Sequence, residues 1–314
     1  MKCPVVKSTS ILRENNTQMQ IRRIGLLSPG DMGQAVAVRL QELGFEVRTA
    51  LSGRSGRTRK LALDAGLTDC GDLRTLLETS DVVLSILDPG SAMDLAREVA
   101  TLLPGLGKHP LFADCNALSP QTKLEMQALL ENAGARFIDA AIIGPPPRGS
   151  GRIRFYVSGT AAGELSGLAH ETITVRVVSD RVGDAAAVKM CYGGITKGTV
   201  ALLTELLVVA RRLGVEPVLD EELRGSQPAM REWILKNLPS MPPKAYRWVP
   251  ETQEIAATFE AAGLTPLMMR GAAEMYKAIA QTGPGRESPE QARAERRSGG
   301  DVIAVLDGEI PKKT

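Results

Sequence analysis

One stretch near the N-terminus constrains the fold more than any other. Residues 24–33 read Ile-Gly-Leu-Leu-Ser-Pro-Gly-Asp-Met-Gly. An apolar run typical of a buried parallel strand leads into a turn and then into a helical pattern at Asp31–Leu43. Such a turn lets a pyrophosphate approach free backbone N–H groups at a helix N-terminus, as in the dinucleotide-binding fingerprint. Ser28 stands where that fingerprint has its first glycine. The residues predicted to contact the dinucleotide are Ser28, Pro29, Gly30, Asp31 and Met32.

The order of apolar and polar segments predicts two domains. From Gly25 to Ser179, strand-like segments alternate with helical ones, which is typical of a doubly wound parallel sheet with right-handed crossovers. A long helix over Val182–Leu213 and further helices follow, with no clear strand. The predicted fold class is α/β: a Rossmann-like domain over residues 21–180, then an all-α domain over residues 181–282. The composition of residues 1–20 and 283–314 predicts a disordered extension and a disordered tail.

Three glycines interrupt the long helical pattern, at Gly193, Gly194 and Gly198. A glycine costs about 1 kcal/mol relative to alanine in a helix interior, so we expect a close contact on this face. The sequence leaves open whether a cofactor, a substrate, a partner subunit or another helix of the chain makes that contact.

Composition excludes several classes of function. A formal net charge of +2 in 314 residues is too small for a dedicated nucleic-acid binder, and no apolar run is long enough to span a bilayer. The two histidines and the scattered Cys3, Cys70, Cys115 and Cys191 do not have metal-ligand spacing, so we expect no metal site and reduced thiols. The sequence predicts a cytoplasmic protein that binds a small molecule and neither nucleic acid nor membrane.

The turn after the second predicted strand indicates which cofactor is used. NAD-binding domains of this design place Asp or Glu about 20 residues after the glycines, where it bonds the ribose 2′-hydroxyl. Here Ser52–Arg57 contains no acid and offers two arginines and two serines. Because Arg can bind a 2′-phosphate through two hydrogen bonds, this turn predicts NADP (NADPH), held by Ser52, Arg54 and Ser55.

Several stretches, in order, resemble motifs of the β-hydroxyacid dehydrogenase and 6-phosphogluconate dehydrogenase superfamily. They are Ile24–Gly33, Leu87–Pro89, Asp114–Pro120, Asp139–Pro145 and Gly183–Lys189. The similarity extends over roughly residues 21–280. Within the superfamily the chain is similar to an uncharacterised branch, through Ile143–Pro147, Lys189–Tyr192 and Met241–Trp248.

The resemblance implies roles for particular residues. Lys189 corresponds to a catalytic lysine that accepts the proton of an alcohol as hydride leaves for NADP⁺, or donates it in the reverse direction. Leu87 and Asp88 correspond to a loop beside the nicotinamide, and Asn116 to a residue that contacts the nicotinamide or the substrate. A homodimer formed through the helical domain is also implied.

The chain departs from the family pattern where the substrate is held. The substrate loop corresponds to Ile143, Gly144 and Pro145, but its serine is replaced by Ile143 and a glycine by Pro145. Isoleucine has no hydroxyl and proline no N–H, so the usual grip on a substrate carboxylate is partly lost. The asparagine expected four residues after the lysine is Gly193, and a family Lys-Asp-Leu is here Gln253–Ile255. A conventional 3-hydroxy acid or 6-phosphogluconate is therefore in doubt as substrate.

Other polar side chains are candidates to compensate. Tyr192 is three residues after Lys189 on the same helix face and is predicted as a second catalytic residue. Lys197, near this face, is a candidate to bind an anionic substrate group, with a solvated charge as the alternative. Two further clusters are candidates for the substrate pocket, with plain surface or core roles as the alternative: Arg148, Arg152 and Arg154, and Lys244, Tyr246, Arg247 and Trp248.

The sequence favours an NADP-dependent oxidoreductase acting on a small polar hydroxy or carbonyl compound. An imine reductase or reductive aminase is an alternative, because those relatives share the fold and the cofactor loop. A non-catalytic NADP-binding interaction module is another. The presence of Lys189 argues against both alternatives, since several imine-reducing relatives lack the lysine and a non-catalytic module is expected to lose it.

Overall fold

The computed structural model describes residues 21–311, and the predicted extension at 1–20 lies outside them. Eight strands form one sheet in the order β3-β2-β1-β4-β5-β6-β7-β8. The strands are β1 Arg23–Leu27, β2 Glu46–Thr49, β3 Thr68–Asp69, β4 Val82–Ser85, β5 Leu111–Asp114, β6 Arg136–Ile143, β7 Ile153–Ser158 and β8 Ile173–Ser179. The predicted doubly wound sheet is confirmed.

One strand pair differs from the parallel prediction. β6 and β7 pair antiparallel, whereas the other neighbouring strands pair parallel. The connection between β6 and β7 contains no helix, and a parallel pair needs a crossover of a dozen or more residues. The chain therefore reverses at the loop that begins with Gly144 and Pro145.

Helices cover both faces of the sheet. They are α1 Asp31–Glu42, α2 Gly56–Asp64, α3 Leu73–Thr79, α4 Pro89–Leu102 and α5 Pro120–Asn132. Every residue of β4 and β5 is buried, as expected for central parallel strands that are covered on both sides. The carboxyl ends of these strands meet at one edge, where open α/β sheets bind ligands.

The second half of the chain is helical. Its helices are α6 Asp184–Gly193, α7 Thr199–Arg212, α8 Glu216–Ser226, α9 Pro228–Asn237, α10 Ala245–Ala261, α11 Leu267–Ala280, α12 Gly283–Arg286, α13 Pro289–Glu295 and α14 Gly299–Glu309. The predicted boundary falls between β8 and α6. A separate apolar core, built around Tyr276, Leu238 and Ile255, holds this bundle together.

The prediction of a disordered tail at 283–314 is wrong for the part that the structure describes. α13 and α14 begin with capping boxes at Ser288 and Ser298, which satisfy free N–H groups of the first turn. Val302, Ile303 and Leu306 of α14 are buried in the helical core. The polar composition of the whole segment favoured disorder, although α14 contains the apolar run Val302–Leu306, whose core partners are distant in sequence.

The glycines of the long helix contact other helices of the same chain. A π-helical segment, Gly194–Gly198, joins α6 to α7. A Cβ at Gly193, Gly194 or Gly198 would lie 3.1–3.3 Å from side-chain atoms of α10 or α11. Close helix crossing therefore accounts for the glycines. A side chain at Gly193, such as the asparagine that the family pattern expects, would be in tight contact with Ile255.

Contrary to the expectation that no apolar run is long enough to span a bilayer, the helix Asp184–Arg212 is, by length and composition, long and apolar enough to cross a membrane. This is weak evidence for a membrane span, because long core helices of soluble proteins meet the same criterion.

Candidate cofactor and active site

The turn after β1 has the conformation that phosphate binding requires. Ser28 adopts a left-handed φ of 64°, which explains why glycine is common at this position in the fingerprint. The N–H of Gly30 bonds the carbonyl of Ser28 at 2.7 Å, and Gly30 then forms the N-cap of α1. A Cβ at Gly33 would lie only 2.8 Å from the Ser28 carbonyl, whereas a Cβ at Gly30 would meet that oxygen at 4.0 Å. The space before the N-terminus of α1 is therefore open, and the turn fits a dinucleotide pyrophosphate.

The turn after β2 presents the residues predicted to read the cofactor ribose. Ser55 caps α2 by accepting a hydrogen bond from the N–H of Thr58. The carbonyl of Arg54 accepts a bond from Arg59 Nε, while the Arg54 guanidinium makes no hydrogen bond or ion pair within residues 21–311. Asp69, at the end of β3, was not considered in the sequence prediction. Its Oδ1 accepts the N–H groups of Leu51 and Gly71 and so braces this turn.

A cleft of ≈ 390 Å³ lies between the sheet edge and the helical domain, within the size range of small-molecule sites. Most of the predicted site residues line it: Asp31, Met32, Leu87, Asp88, Asn116, Ile143, Gly144, Pro145, Lys189, Tyr192, Gly193 and Lys197. Ser28, Pro29, Gly30, Ser52, Arg54 and Ser55 do not line this cleft and lie on the two turns described above. The structure thus places the predicted residues along one edge of the sheet.

Asn116 has its amide fully engaged by the protein. Its Nδ2 donates to Asp114 Oδ1 at 2.5 Å and to Ser85 Oγ at 3.0 Å, and its Oδ1 accepts the N–H of Leu87 at 2.7 Å. The side chain therefore ties the end of β5 to the loop that follows β4. Its structural effect is to position Leu87 and Asp88 at the cleft.

Lys189 projects from α6 into the cleft. Its Nζ lies 3.4 Å from the carbonyl oxygen of Cys115, and it forms no ion pair with any described residue. The pKa of Lys189 is lowered to about 8, mainly by desolvation; the Glu251 carboxylate opposes the shift and the Lys197 ammonium adds to it. A lysine in this range exchanges protons readily near neutral pH.

Lys197 is neutralised within the protein. Its Nζ lies 2.7 Å from Glu251 Oε1, and both side chains are only 14% exposed. The same ammonium lies 5.4 Å from the ring centroid of Trp248, a cation–π distance. Lys197 is therefore not a solvated charge, and Glu251 already occupies the ammonium that was predicted to bind a substrate anion.

The three arginines after the substrate loop do not line the cleft. Arg148 pairs with Asp31 at 2.6 Å over the start of α1, and Arg154 Nε bonds the carbonyl of Ile143 at 3.4 Å. Arg152 is exposed. None of these arginines replaces the hydrogen bonds to a substrate carboxylate that the loop has lost.

The start of helix α10 contributes several side chains to the cleft, for which the sequence analysis left a plain surface or core role open. Lys244, just before α10, and Arg247 and Trp248 within it line the cleft, as does Glu251. Glu251 was missed. A signal existed, because Glu251 follows Arg247 by four residues and so continues the same helix face.

Two family profiles match the chain. Residues 23–164 match the NAD binding domain of 6-phosphogluconate dehydrogenase, and residues 210–279 match a domain of unknown function, DUF1932. The mitochondrial 3-hydroxyisobutyrate dehydrogenase of Drosophila melanogaster is 24% identical over 278 residues, covering 82% of this chain and 79% of that protein.

Solved structures agree with these matches. A conserved protein of unknown function, described as structurally similar to 3-hydroxyacid dehydrogenases, is 31% identical with a TM-score of 0.59, covering 87% of this chain and 98% of that one. An imine reductase from Myxococcus stipitatus, crystallised with NAD⁺, has a TM-score of 0.50 at 20% identity, covering 88% of this chain and all (100%) of that one. The second match shows the fold alone.

The parallel sheet, the phosphate-binding turn and the interdomain cleft define an oxidoreductase of the class that uses a nicotinamide cofactor. The chain belongs to the 6-phosphogluconate dehydrogenase-like family, among NAD(P)-binding proteins related to the hydroxyacid dehydrogenases.

Proposed function

We propose that the protein is an NADP-dependent oxidoreductase that interconverts a small polar hydroxy compound and its carbonyl form, with Lys189 as general acid/base. The observation that carries the proposal is the position of Lys189. This lysine has no ion pair with any residue that the structure describes, is held by α6 in the interdomain cleft, and has its pKa lowered to about 8. A surface lysine on an amphipathic helix would not have these properties.

The residues of the chain suit this reaction. When bound, the cofactor supplies or accepts the hydride. The α1 N-terminus would hold its pyrophosphate, and the loop of Leu87 and Asp88 would border its reactive ring. Neutral Lys189 takes the proton of the substrate hydroxyl during oxidation, and its ammonium returns that proton to the carbonyl oxygen during reduction. Tyr192 lines the same cleft and is proposed as a second polar contact to the substrate oxygen.

Cofactor preference follows from the turn after β2. Within the described residues the Arg54 guanidinium has no hydrogen-bond or ion-pair partner, and one oxygen of the nearby Asp69 accepts two backbone N–H groups. A 2′-phosphate would gain a charged partner at this turn. This supports NADP over NAD.

A homodimer through the helical domain is part of the proposal. One face of α7 carries Leu202, Leu206 and Val209, and Leu213 continues it; these residues are 44–71% exposed. Their spacing of three and four residues forms one apolar stripe. A second copy of the chain would remove that stripe from water.

The test is Lys189→Met, with Lys277→Met as a control on an exposed helix surface. Methionine matches the length of lysine and tolerates apolar surroundings, so fold and NADPH affinity should remain. Turnover should fall by about 10²- to 10⁴-fold, the usual contribution of one proton-transfer group. Hydroxy acids, their keto forms and cyclic imines are compared as substrates.

Two outcomes contradict the proposal. Full turnover by Lys189→Met on a verified substrate removes the assigned role of this lysine. Turnover of the wild-type protein on imines but not on hydroxy or carbonyl compounds identifies an imine reductase instead.

A further inference from the structure

The charges that line the cleft do not balance. Seven acidic or basic side chains line it: Asp31, Asp88, Lys189, Lys197, Lys244, Arg247 and Glu251. Two of them pair as Lys197–Glu251, and Asp31 pairs with Arg148 outside the cleft. Among the residues that the structure describes, Lys189, Lys244, Arg247 and Asp88 have no ion pair, so cations exceed acids. Asp88 interacts electrostatically with Arg247 without forming an ion pair.

Lys244 and Arg247 are the two cations without an assigned role. They lie three residues apart at the N-terminus of α10, a spacing that places both on one face. Both side chains are partly buried, and neither makes a hydrogen bond or ion pair with any residue in 21–311. Two neighbouring, partly desolvated like charges are unfavourable unless an anion joins them.

The pKa of Lys244 is consistent with an unsatisfied cation. Burial is the main cause that lowers it, the Arg247 guanidinium adds to this effect, and the Asp31 carboxylate opposes it. The N-terminus of the 17-residue α10 adds a positive helix dipole at the same place.

The loop after β6 is a poor binding partner for an anion. Ile143, Pro145 and Pro146 line the cleft, and these residues offer neither a hydroxyl nor, at the prolines, an N–H. Lys197 is held by Glu251. The uncommitted donors toward an anionic substrate group are therefore concentrated on α10.

We propose that Lys244 and Arg247 form an oxyanion subsite that binds a doubly charged phosphate or phosphonate group of the substrate, while the reacting hydroxyl or carbonyl lies at Lys189. The inference rests on the proposed function for the identity of the ligand as substrate. Two cations match two negative charges, and Arg247 offers a planar pair of N–H donors to two oxygens. Specificity for the anionic group thus belongs to α10 rather than to the loop after β6.

The experiment is calorimetric titration of the full-length protein saturated with NADP⁺. The probes are methyl phosphate, whose second pKa near 6 leaves it doubly charged at pH 7.5, the monoanion acetate, and neutral acetamide. Methyl phosphate should bind at least about tenfold more tightly than acetate, and acetamide should not bind measurably. Arg247→Met and Lys244→Met should each weaken methyl phosphate binding by about tenfold or more.

Matched variants distinguish binding at a specific subsite from a general effect of the protein's positive charge. Arg286→Met removes one positive charge from an exposed position on α12 and should leave the titration unchanged. Arg247→Lys keeps the positive charge but loses the planar pair of N–H donors. Its affinity for methyl phosphate should lie between those of the wild type and Arg247→Met. NADPH affinity measured by fluorescence reports whether each variant is folded.

The proposal is overturned if acetate and methyl phosphate bind equally, or if Arg286→Met weakens binding as much as Arg247→Met. It is also overturned if methyl phosphate binds only the cofactor-free protein and competes with NADP⁺, because the two cations would then hold cofactor phosphates. Binding does not depend on turnover. Tight, Arg247-dependent binding in a protein that reduces no carbonyl would refute the proposed oxidoreductase function and still support the oxyanion subsite.

Discussion

The carboxylate of Glu254, in the helical domain, accepts a 2.6 Å hydrogen bond from the backbone N–H of Ser119, in the sheet domain. The same oxygen accepts the hydroxyl of Thr122 at 2.9 Å. Ser119 is the N-cap of α5, so a negative charge from α10 lies at a positive helix end. Glu254 therefore fixes α10, and the side chains it carries into the cleft, against the sheet edge.

Removing this contact should destabilise the protein. In Glu254→Ala the N–H of Ser119 loses its partner at the domain interface, so the free energy of unfolding should fall by about 1–3 kcal/mol. Urea unfolding measures the change. Glu260→Ala, on the same helix, breaks an exposed pair with Arg270 and should change stability by less than about 1 kcal/mol. Equal losses in the two variants would contradict the role of Glu254 as an interdomain contact.

Two glycine substitutions in the phosphate-binding turn should have different effects, one mainly on stability and the other mainly on cofactor affinity. In Gly33→Ala, the new Cβ would lie 2.8 Å from the Ser28 carbonyl, so the turn must shift and the melting temperature should drop. In Gly30→Ala, the Cβ meets no protein atom closer than 4.0 Å and instead enters the space assigned to the pyrophosphate. NADPH affinity should then fall about tenfold or more with a smaller loss of stability. Unchanged affinity in Gly30→Ala would show that the dinucleotide does not bind at this turn.

Arg54 should determine the preference for NADPH over NADH. Arg54→Ala removes the free guanidinium of the turn after β2, so NADPH affinity should fall about 10-fold or more while NADH affinity stays nearly constant. Fluorescence titration of both cofactors measures the ratio. Lys60→Ala removes the same charge from the exposed surface of α2, where Lys60 pairs with Asp64, and serves as the control. Equal affinity of the wild-type protein for both cofactors would refute the NADP assignment.

Much of the fold could be predicted from the sequence because it depends on local patterns. The apolar run before Ser28 and the alternation of strands and helices are readable residue by residue, and they place most predicted site residues at one sheet edge. The antiparallel β7 was missed although its short, helix-free connection to β6 is a local feature of the chain. The folded α14 could not be predicted in this way, because its buried residues pack against helices far from it in the sequence.

The candidate site likewise has a part that could be predicted from the sequence and a part that could not. Lys189 was found through family resemblance, and its position in the cleft follows from α6. The Lys197–Glu251 pair could not be predicted, because these residues are 54 positions apart and meet only when α10 crosses the π-helical segment. The two members of that pair act on the pKa of Lys189 in opposite directions.

The pH dependence of the reaction should reveal Lys189 and its neighbours. Oxidation requires neutral Lys189, so its rate should rise with pH and level off above about pH 8; reduction requires the ammonium and should fall above the same value. In Glu251→Gln an acid that raises the pKa of Lys189 is lost, and the freed Lys197 lowers that pKa, so both limbs should move to lower pH. In Lys197→Met the charge that lowers the pKa of Lys189 is lost and Glu251 is freed, so both limbs should move to higher pH.

The kcat/KM profiles of both variants are compared with that of Glu221→Gln, an exposed charge change on α8 that should leave the profile unchanged. If the pH profiles of the two cleft variants shift in opposite directions, the titrating group lies close to the Lys197–Glu251 pair. If both profiles shift in the same direction, Lys189 is not the group that titrates.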